Sequence, residues 1–414
     1  MKDDPAAALS ERTVKAARSV RVLSSLSWPE GTVQAFLSSW RRGERELPVV
    51  QAPEISLEGP IEALDAIESD ADRSDPLQAY VADTAASYAS AARMLQDVGT
   101  PSFSIRSQGL YGSPADLLPG STVSHHSAAS ALLDNTASLA AAGVLDERDV
   151  CLTPEAVQGR LEKAFAEFFG DRAPRVEIDP NLASKAAAGS RRVRLRAATC
   201  FTELDVTQLI EHEGFVHTAT ALNGRAQPVA SCMRLSTPRT TFTQEGLATL
   251  AELATRSIDI ARLRRLALRT LAIHHALEGA DYLEVFEFFL EAGQSEDESA
   301  HSTMRVFRGG DVRGRICFTK DVVYLAGLFA VHTYLRKAIA ESRPHLVRRL
   351  FTGRLALGDV MALAPAFDDG RLAEPRFVPR WATEIHRLAA YLAFSALTDR
   401  IDLSAVELEG TGQV

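Results

Sequence analysis

No stretch of this 414-residue chain stays apolar for long. The best, residues 322–335, carries His332 and falls short of the roughly 18 uninterrupted apolar residues that a membrane span needs, so no span is expected. The start, Met1-Lys2-Asp3-Asp4-Pro5, is acidic with no apolar run behind it and gives no secretory signal. Cysteine is also scarce. Cys151, Cys200, Cys232 and Cys317 lie far apart without a CxxC pair, which leaves a cysteine zinc site or a dithiol redox centre without support. A large chain with few cysteines and no signal reads as cytoplasmic and reduced. Positive charge is short as well: the formal net charge of -9 argues against nucleic acid as the main partner. Only six of the 45 basic residues are lysine, which fits genome composition better than function.

What the chain does have is core material. Hydrophobic residues make up 46% and charged residues 24%, ordinary values for a folded protein with a large interior. Residues 1–20, polar and alanine-rich, read as a flexible N-terminus. Residues 21–150 read as an N-terminal helical region. Within it, 51–75 reads as a connecting stretch, 75–98 as a long helix opened by Asp75-Pro76, 103–119 as a glycine- and serine-rich loop, and 127–142 as another helix. Residues 151–414 form the expected catalytic region. Thr153-Pro154-Glu155 opens a helix to Phe169, alternating patterns predict strands at 175–178 and 192–197, and helices follow at about 202–222, 244–277, 281–292, 320–341 and 382–397. The pattern predicts an α+β fold, mainly α-helical, with a small central sheet.

The chemistry concentrates in Glu211-His212-Glu213-Gly214-Phe215-Val216-His217. Two histidines flanking a glutamate on one helix is the zinc-peptidase pattern: the imidazoles hold the metal and the carboxylate activates water. The common spacing is four; here it is five, which turns the two side chains by roughly 140° on an ideal helix. A wider π-type turn would realign them, and Gly214 lowers the resistance to such a distortion. Val206, Leu209 and Ile210 define an apolar stripe that Glu213 and His217 continue, so these ionisable groups need partners or a metal. A third ligand is expected, and Glu245 in Thr243-Gln244-Glu245-Gly246-Leu247-Ala248 is the best candidate. Capping-box spacing of Thr241 and Gln244 places it in the first turn of the next helix, where it would equally suit the helix dipole.

HEGFVH followed by QEGLA resembles the bacterial family described as flavohaemoglobin expression-modulating QEGLA-motif proteins, related to the microtubule-associated tyrosine carboxypeptidase of animals. The likeness extends to residues 23–50 (LSSLSWPEG…FLSSW…LPVV), 94–114 (MLQDVGTPSF…SQGLYGSP), 217–228 (HTATALNGRAQP) and 305–327 (RVFRGGDVRGRICFTKDVVYLAG), and so spans nearly the whole chain. The resemblance implies a zincin-like metallopeptidase in which His212, His217 and Glu245 bind zinc and Glu213 is the general base. It further implies a carboxypeptidase that releases a C-terminal aromatic residue, with a peptide or protein C-terminus as substrate.

A carboxypeptidase must also hold the terminal carboxylate. Lys320 and Tyr324, four apart on one helical face, are the first candidates and Arg308 the next; a surface lysine and a half-buried tyrosine would look the same. Gly309-Gly310 would let backbone approach a ligand. Strand 192–197 could add an extended peptide, although alternating arginines also suit an exposed face. His125-His126 reads as a cap or surface pair, His274-His275 as ordinary packing, and Arg262, Arg264 and Arg265 as a solvated helix face. The alternative from another class is a non-catalytic zinc-containing regulatory or binding protein affecting gene expression. That would need a fourth ligand, for which Cys232 is the nearest candidate.

Overall fold

A computed structural model of the protein describes residues 4–141, 151–180, 182, 185–189, 191–197 and 199–398. The 150/151 boundary, the end of the 127–142 helix and the tail beyond 398 fall outside these residues. The architecture is α+β and mainly helical, with one three-stranded mixed sheet, as the periodicity predicts.

Caps start many of the helices. Asp4 caps Pro5–Ala16, Asp75 caps Pro76–Gln96 through Leu77 and Gln78 N–H, and Thr153 caps Pro154–Phe169, each with proline in the first turn. Thr202 and Asp205 form a capping box at the start of the HEGFVH helix. Three segments differ from expectation. Residues 5–16 are not frayed, because Ala6, Leu9, Ser10, Thr13 and Val14 are buried. Within 51–75, Glu58–Asp70 is helical and anchors through Leu64 and Ile67. Within 103–119, Pro101–Tyr111 is helical and buries Phe103, Ser104, Ser107 and Tyr111. Its small polar residues face protein: the Ser104 hydroxyl donates to Cys317 C=O, and Ser107 Oγ accepts from Thr319 N–H.

One apolar core takes residues from both ends of the chain, from Ala6 and Leu9 through Val81 and Met94 to Val216, Leu247, Val331 and Leu392. The expected 244–277 helix is two helices, Pro238–Ala254 and Ile260–Glu278, broken where Arg256 adopts φ +57°. Pro238–Ala254 crosses Val322–Ala340 with Gly246 set directly on Gly327, backbone against backbone.

The sheet orders as β1-β3-β2, with β1 Arg175–Asp179, β2 Ala186–Ala188 and β3 Arg192–Arg196. β3 is central, parallel to β1 and antiparallel to β2, so the strand expected to accept a peptide has both edges occupied. Val193 and Leu195 point into a core with Val157, Leu161, Phe165 and Phe169, while Arg192 and Arg194 pair with Glu177 and Asp179.

The reading of four reduced thiols holds for the buried Cys232 and Cys317, which are free, and gives way at Cys151 and Cys200, which form a disulfide. The bond sits beside the Leu152–Phe201 backbone bridge and joins positions 49 apart. Closing a loop of that length restricts the unfolded chain, so reduction is expected to cost about 2–4 kcal/mol. Thermal melting with and without reductant measures this, and Cys200→Ser should melt alike in both. No helix among the described residues is long and apolar enough to cross a membrane.

Candidate metal centre and active site

The HEGFVH segment is the wide turn that its spacing demands. The helix runs as ordinary α over Glu203–Leu209, opens into π-type turns over Ile210–Thr218, and returns to α over Ala219–Arg225. The extra residue brings the His212 and His217 rings to 4.8 Å, inclined at 85°. Gly214 has a packing reason beyond easing the distortion: a Cβ there would overlap the Phe165 ring.

Glu245 completes the group. Its Oε2 lies 3.5 Å from His212 Nε2 and 3.4 Å from His217 Nε2. One ligand atom from each residue falls within 4.8 Å of the others, and this is the single group of three or more such side chains found among the described residues. Glu245 is not in a first turn, however. Its helix begins at Pro238 behind Thr237, and Thr241 spends its hydroxyl on Thr237 C=O. The preceding Gln244 ties the two motifs together by accepting from the Thr220 hydroxyl at 2.8 Å.

Behind the ligands stands a carboxylate that sequence reasoning missed. Glu252, fully buried, is 2.6 Å from His212 Nδ1, which turns Nε2 of that ring towards Glu245 and His217. Glu252 also accepts two hydrogen bonds from Arg262, at 2.6 and 2.7 Å. Burial opposes its charge, but Arg262 and His212 outweigh that and pull the carboxyl down to about 2. Burial likewise opposes charge on His212, yet Glu245 and Glu252 raise it to about 10. Arg262 is therefore no solvated cation. Arg264 is also engaged, donating to Leu133 C=O and the Thr136 hydroxyl. The signal for Glu252 was its place seven residues after Glu245, two turns along the same helical face.

His217 Nδ1 is buried and has no hydrogen-bond partner. Its carbonyl, loosened by the wide turn, accepts from the Thr220 hydroxyl at 3.2 Å and from Arg354 Nη2 at 3.4 Å. Arg354 lies in the fields of Glu245 and Glu213, and burial lowers its pKa. It comes from an irregular segment without any motif, so the sequence offered no signal for it. Glu211 is mostly buried with Oε2 unpartnered, and burial raises its carboxyl to about 7.

The family model for the microtubule-associated tyrosine carboxypeptidases matches residues 34–400. The chain belongs to that family. No curated protein matches it significantly. Membership implies a peptidase of carboxypeptidase type, acting on the C-terminus of a peptide or protein.

The candidate substrate residues of this family member gather around Tyr324, and Lys320 alone of them reaches Glu245. Lys320 Nζ is 3.3 Å from Glu245 Oε1 and 5.0 Å from the Tyr324 ring centroid. Lys320 thus steadies a candidate ligand, and its charge is already met there. Arg308 is buried close to Arg305 and Tyr324. Gly309 and Gly310 serve packing: a Cβ on the first would meet Leu26 and Phe103, and on the second the Ile316 carbonyl. No other histidine joins the centre among the described residues: His126 and His274 have ring centroids 4.1 Å apart, tilted by 51°, and His125 lies near Ser113 C=O. Cys232, fully buried, belongs to the apolar core and is not in the cluster.

Proposed function

We propose that this protein is a zincin-like, zinc-dependent carboxypeptidase that releases a C-terminal aromatic residue. The observation that carries the reading is the convergence within 4.8 Å of Glu245 with His212 and His217, whose wide turn also holds Glu213. Two imidazoles and one carboxylate suit a four-coordinate zinc with one position open. The residues fit such an ion: His212 is oriented from behind by Glu252, and His217 brings Nε2 to 3.4 Å from Glu245. No fourth His, Cys, Asp or Glu joins the three among the described residues, which favours an open site over a closed structural one.

A bound divalent ion would polarise the scissile carbonyl and make water a stronger nucleophile. The chain's own groups divide the remaining work. Glu213 takes the proton of the attacking water and returns it to the leaving amine, so that one water is consumed for each peptide bond. Glu252 keeps the His212 ring in the tautomer that presents Nε2. Lys320 holds Glu245 Oε1, leaving Oε2 towards the histidines. The aromatic preference and the C-terminal direction rest on the family.

Elemental analysis of purified protein tests the centre. About one zinc per chain is expected, and Glu245→Ala should lose it. Glu213→Gln should keep its zinc while turnover falls on the order of 10²- to 10⁴-fold. Undiminished cleavage by Glu213→Gln would overturn the mechanism.

A further inference from the structure

Three guanidinium groups crowd one carboxylate beside Tyr324. Arg305 takes Asp321 in a two-pronged pair, Nε to Oδ2 at 2.6 Å and Nη2 to Oδ1 at 2.7 Å. Arg269 reaches the same Oδ2 only at 3.8 Å, and its guanidinium carbon stands 5.4 Å from the Tyr324 ring centroid. Among the described residues Arg308 makes no ion pair or side-chain hydrogen bond; its residue is 8% exposed and its Nε is buried without a partner. Nearby acids are already engaged, Glu252 by Arg262 and Glu245 by Lys320.

Buried charge without a counter-charge is costly, and a fold that keeps it in place has a use for it. Burial first, and then the charge of Arg305, pull both Arg269 and Arg308 down to about 10. Arg308 ends the helix Glu296–Phe307, whose C-terminal dipole offers only about half a negative charge. The deficit is therefore roughly between one and two negative charges, room for one carboxylate. Arg269, at 22% side-chain exposure, is not sealed off.

We propose that Arg269 and Arg308, braced by the Arg305–Asp321 pair, form the receptor for the free α-carboxylate of the substrate. This rests on the peptidase reading and adds the residues that restrict it to chains ending in a carboxylate. The placement suits the task. Lys320 touches Glu245 on one side and the Tyr324 ring on the other, and Arg269 meets the same ring, so two side chains, Lys320 and Tyr324, lead from the ligand Glu245 to Arg269. A terminal carboxylate sits one residue, about 3.8 Å of backbone, past the scissile bond. The guanidinium fork matches a carboxylate through paired N–H donors, which a lysine does not. The sequence offered a cue: Arg269 follows Arg262 by seven residues, on the same face of Ile260–Glu278.

The test uses the metal-loaded full chain and a short peptide with an aromatic C-terminus, as the free acid and as its amide. Wild type should cleave the acid at least 10-fold faster. Arg308→Met and Arg269→Gln should raise KM for the acid on the order of 10- to 100-fold, with a smaller change in kcat. Arg308→Lys, which keeps the charge but loses the fork, should fall between. A merely structural arginine would lower the melting temperature when removed, whereas Arg308→Met, which removes a buried unpaired cation, should hold or raise it. Binding gives an arm independent of turnover: Glu213→Gln should bind N-acetyltyrosine over N-acetyltyrosinamide, and adding Arg308→Met should erase the preference. If no peptide is cleaved but this selectivity appears, the receptor stands and the peptidase reading fails. Equal cleavage of acid and amide by wild type, or a folded Arg308→Met with unchanged KM, overturns the receptor and leaves the peptidase reading intact.

Discussion

Replacing Gly246 with alanine is expected to leave little folded protein. A Cβ on Gly246 would overlap the carbonyl of Gly327 and stand 2.7 Å from its Cα, well inside ordinary van der Waals contact. Both sides of the clash are helix backbone, so no rotamer change relieves it. The helices Pro238–Ala254 and Val322–Ala340 would have to part by about 1 Å along a buried crossing that also includes Leu247, Leu250, Val323 and Ala326. Overpacking of a side chain costs about 1–3 kcal/mol, and a rigid backbone clash belongs above that range, on the order of 4–5 kcal/mol or more. Glu245 is carried by one of these helices and Lys320 enters the other, so whatever remains folded should also bind metal poorly. Urea denaturation and metal content of the same preparation measure both. Gly327→Ala should behave alike, because its Cβ would overlap the Phe242 carbonyl. A Gly246→Ala protein with wild-type stability would show that the two helices do not meet at these glycines.

That crossing also shows what the sequence displays and what it hides. The metal motif was legible because its spacing breaks a rule: histidines five positions apart cannot serve one site on a regular helix, and the π-type turn over Ile210–Thr218 follows from that mismatch. Capping residues gave the starts of Pro76–Gln96 and Pro154–Phe169 because Asp-Pro and Thr-Pro act locally. Pro101–Tyr111 was hidden because half of its buried face is Ser104 and Ser107, which make sense only against Cys317 and Thr319, more than two hundred residues away. Nothing local marks Gly246 of QEGLA as a contact with a helix some eighty residues on. Arg262, Arg264 and Arg265 looked solvated in an acidic protein, and Arg262 is instead the partner of a fully buried Glu252. Local signals survive in the sequence. Pairings between distant elements do not, and they supply the groups behind the metal ligands.

Glu252→Ala is expected to be damaging in two separable ways. The carboxylate is fully buried and accepts Arg262 at 2.6 and 2.7 Å and the His212 ring at 2.6 Å. Alanine leaves the Arg262 guanidinium in the interior without its counter-charge, which typically costs about 3–5 kcal/mol. It also frees the His212 ring to rotate and to exchange tautomers, and loss of such a supporting carboxylate typically weakens metal binding by about 10- to 100-fold. Stability follows from chemical denaturation of metal-free protein, and affinity from competition with a chelating dye. The double variant Glu252→Leu with Arg262→Met separates the two effects. Removing both charges and filling their volume should recover most of the stability, because a buried pair contributes little beyond what apolar packing supplies. Metal affinity should stay low, since nothing orients His212. Recovery of affinity along with stability would mean that Glu252 acts on the centre only by keeping the fold intact.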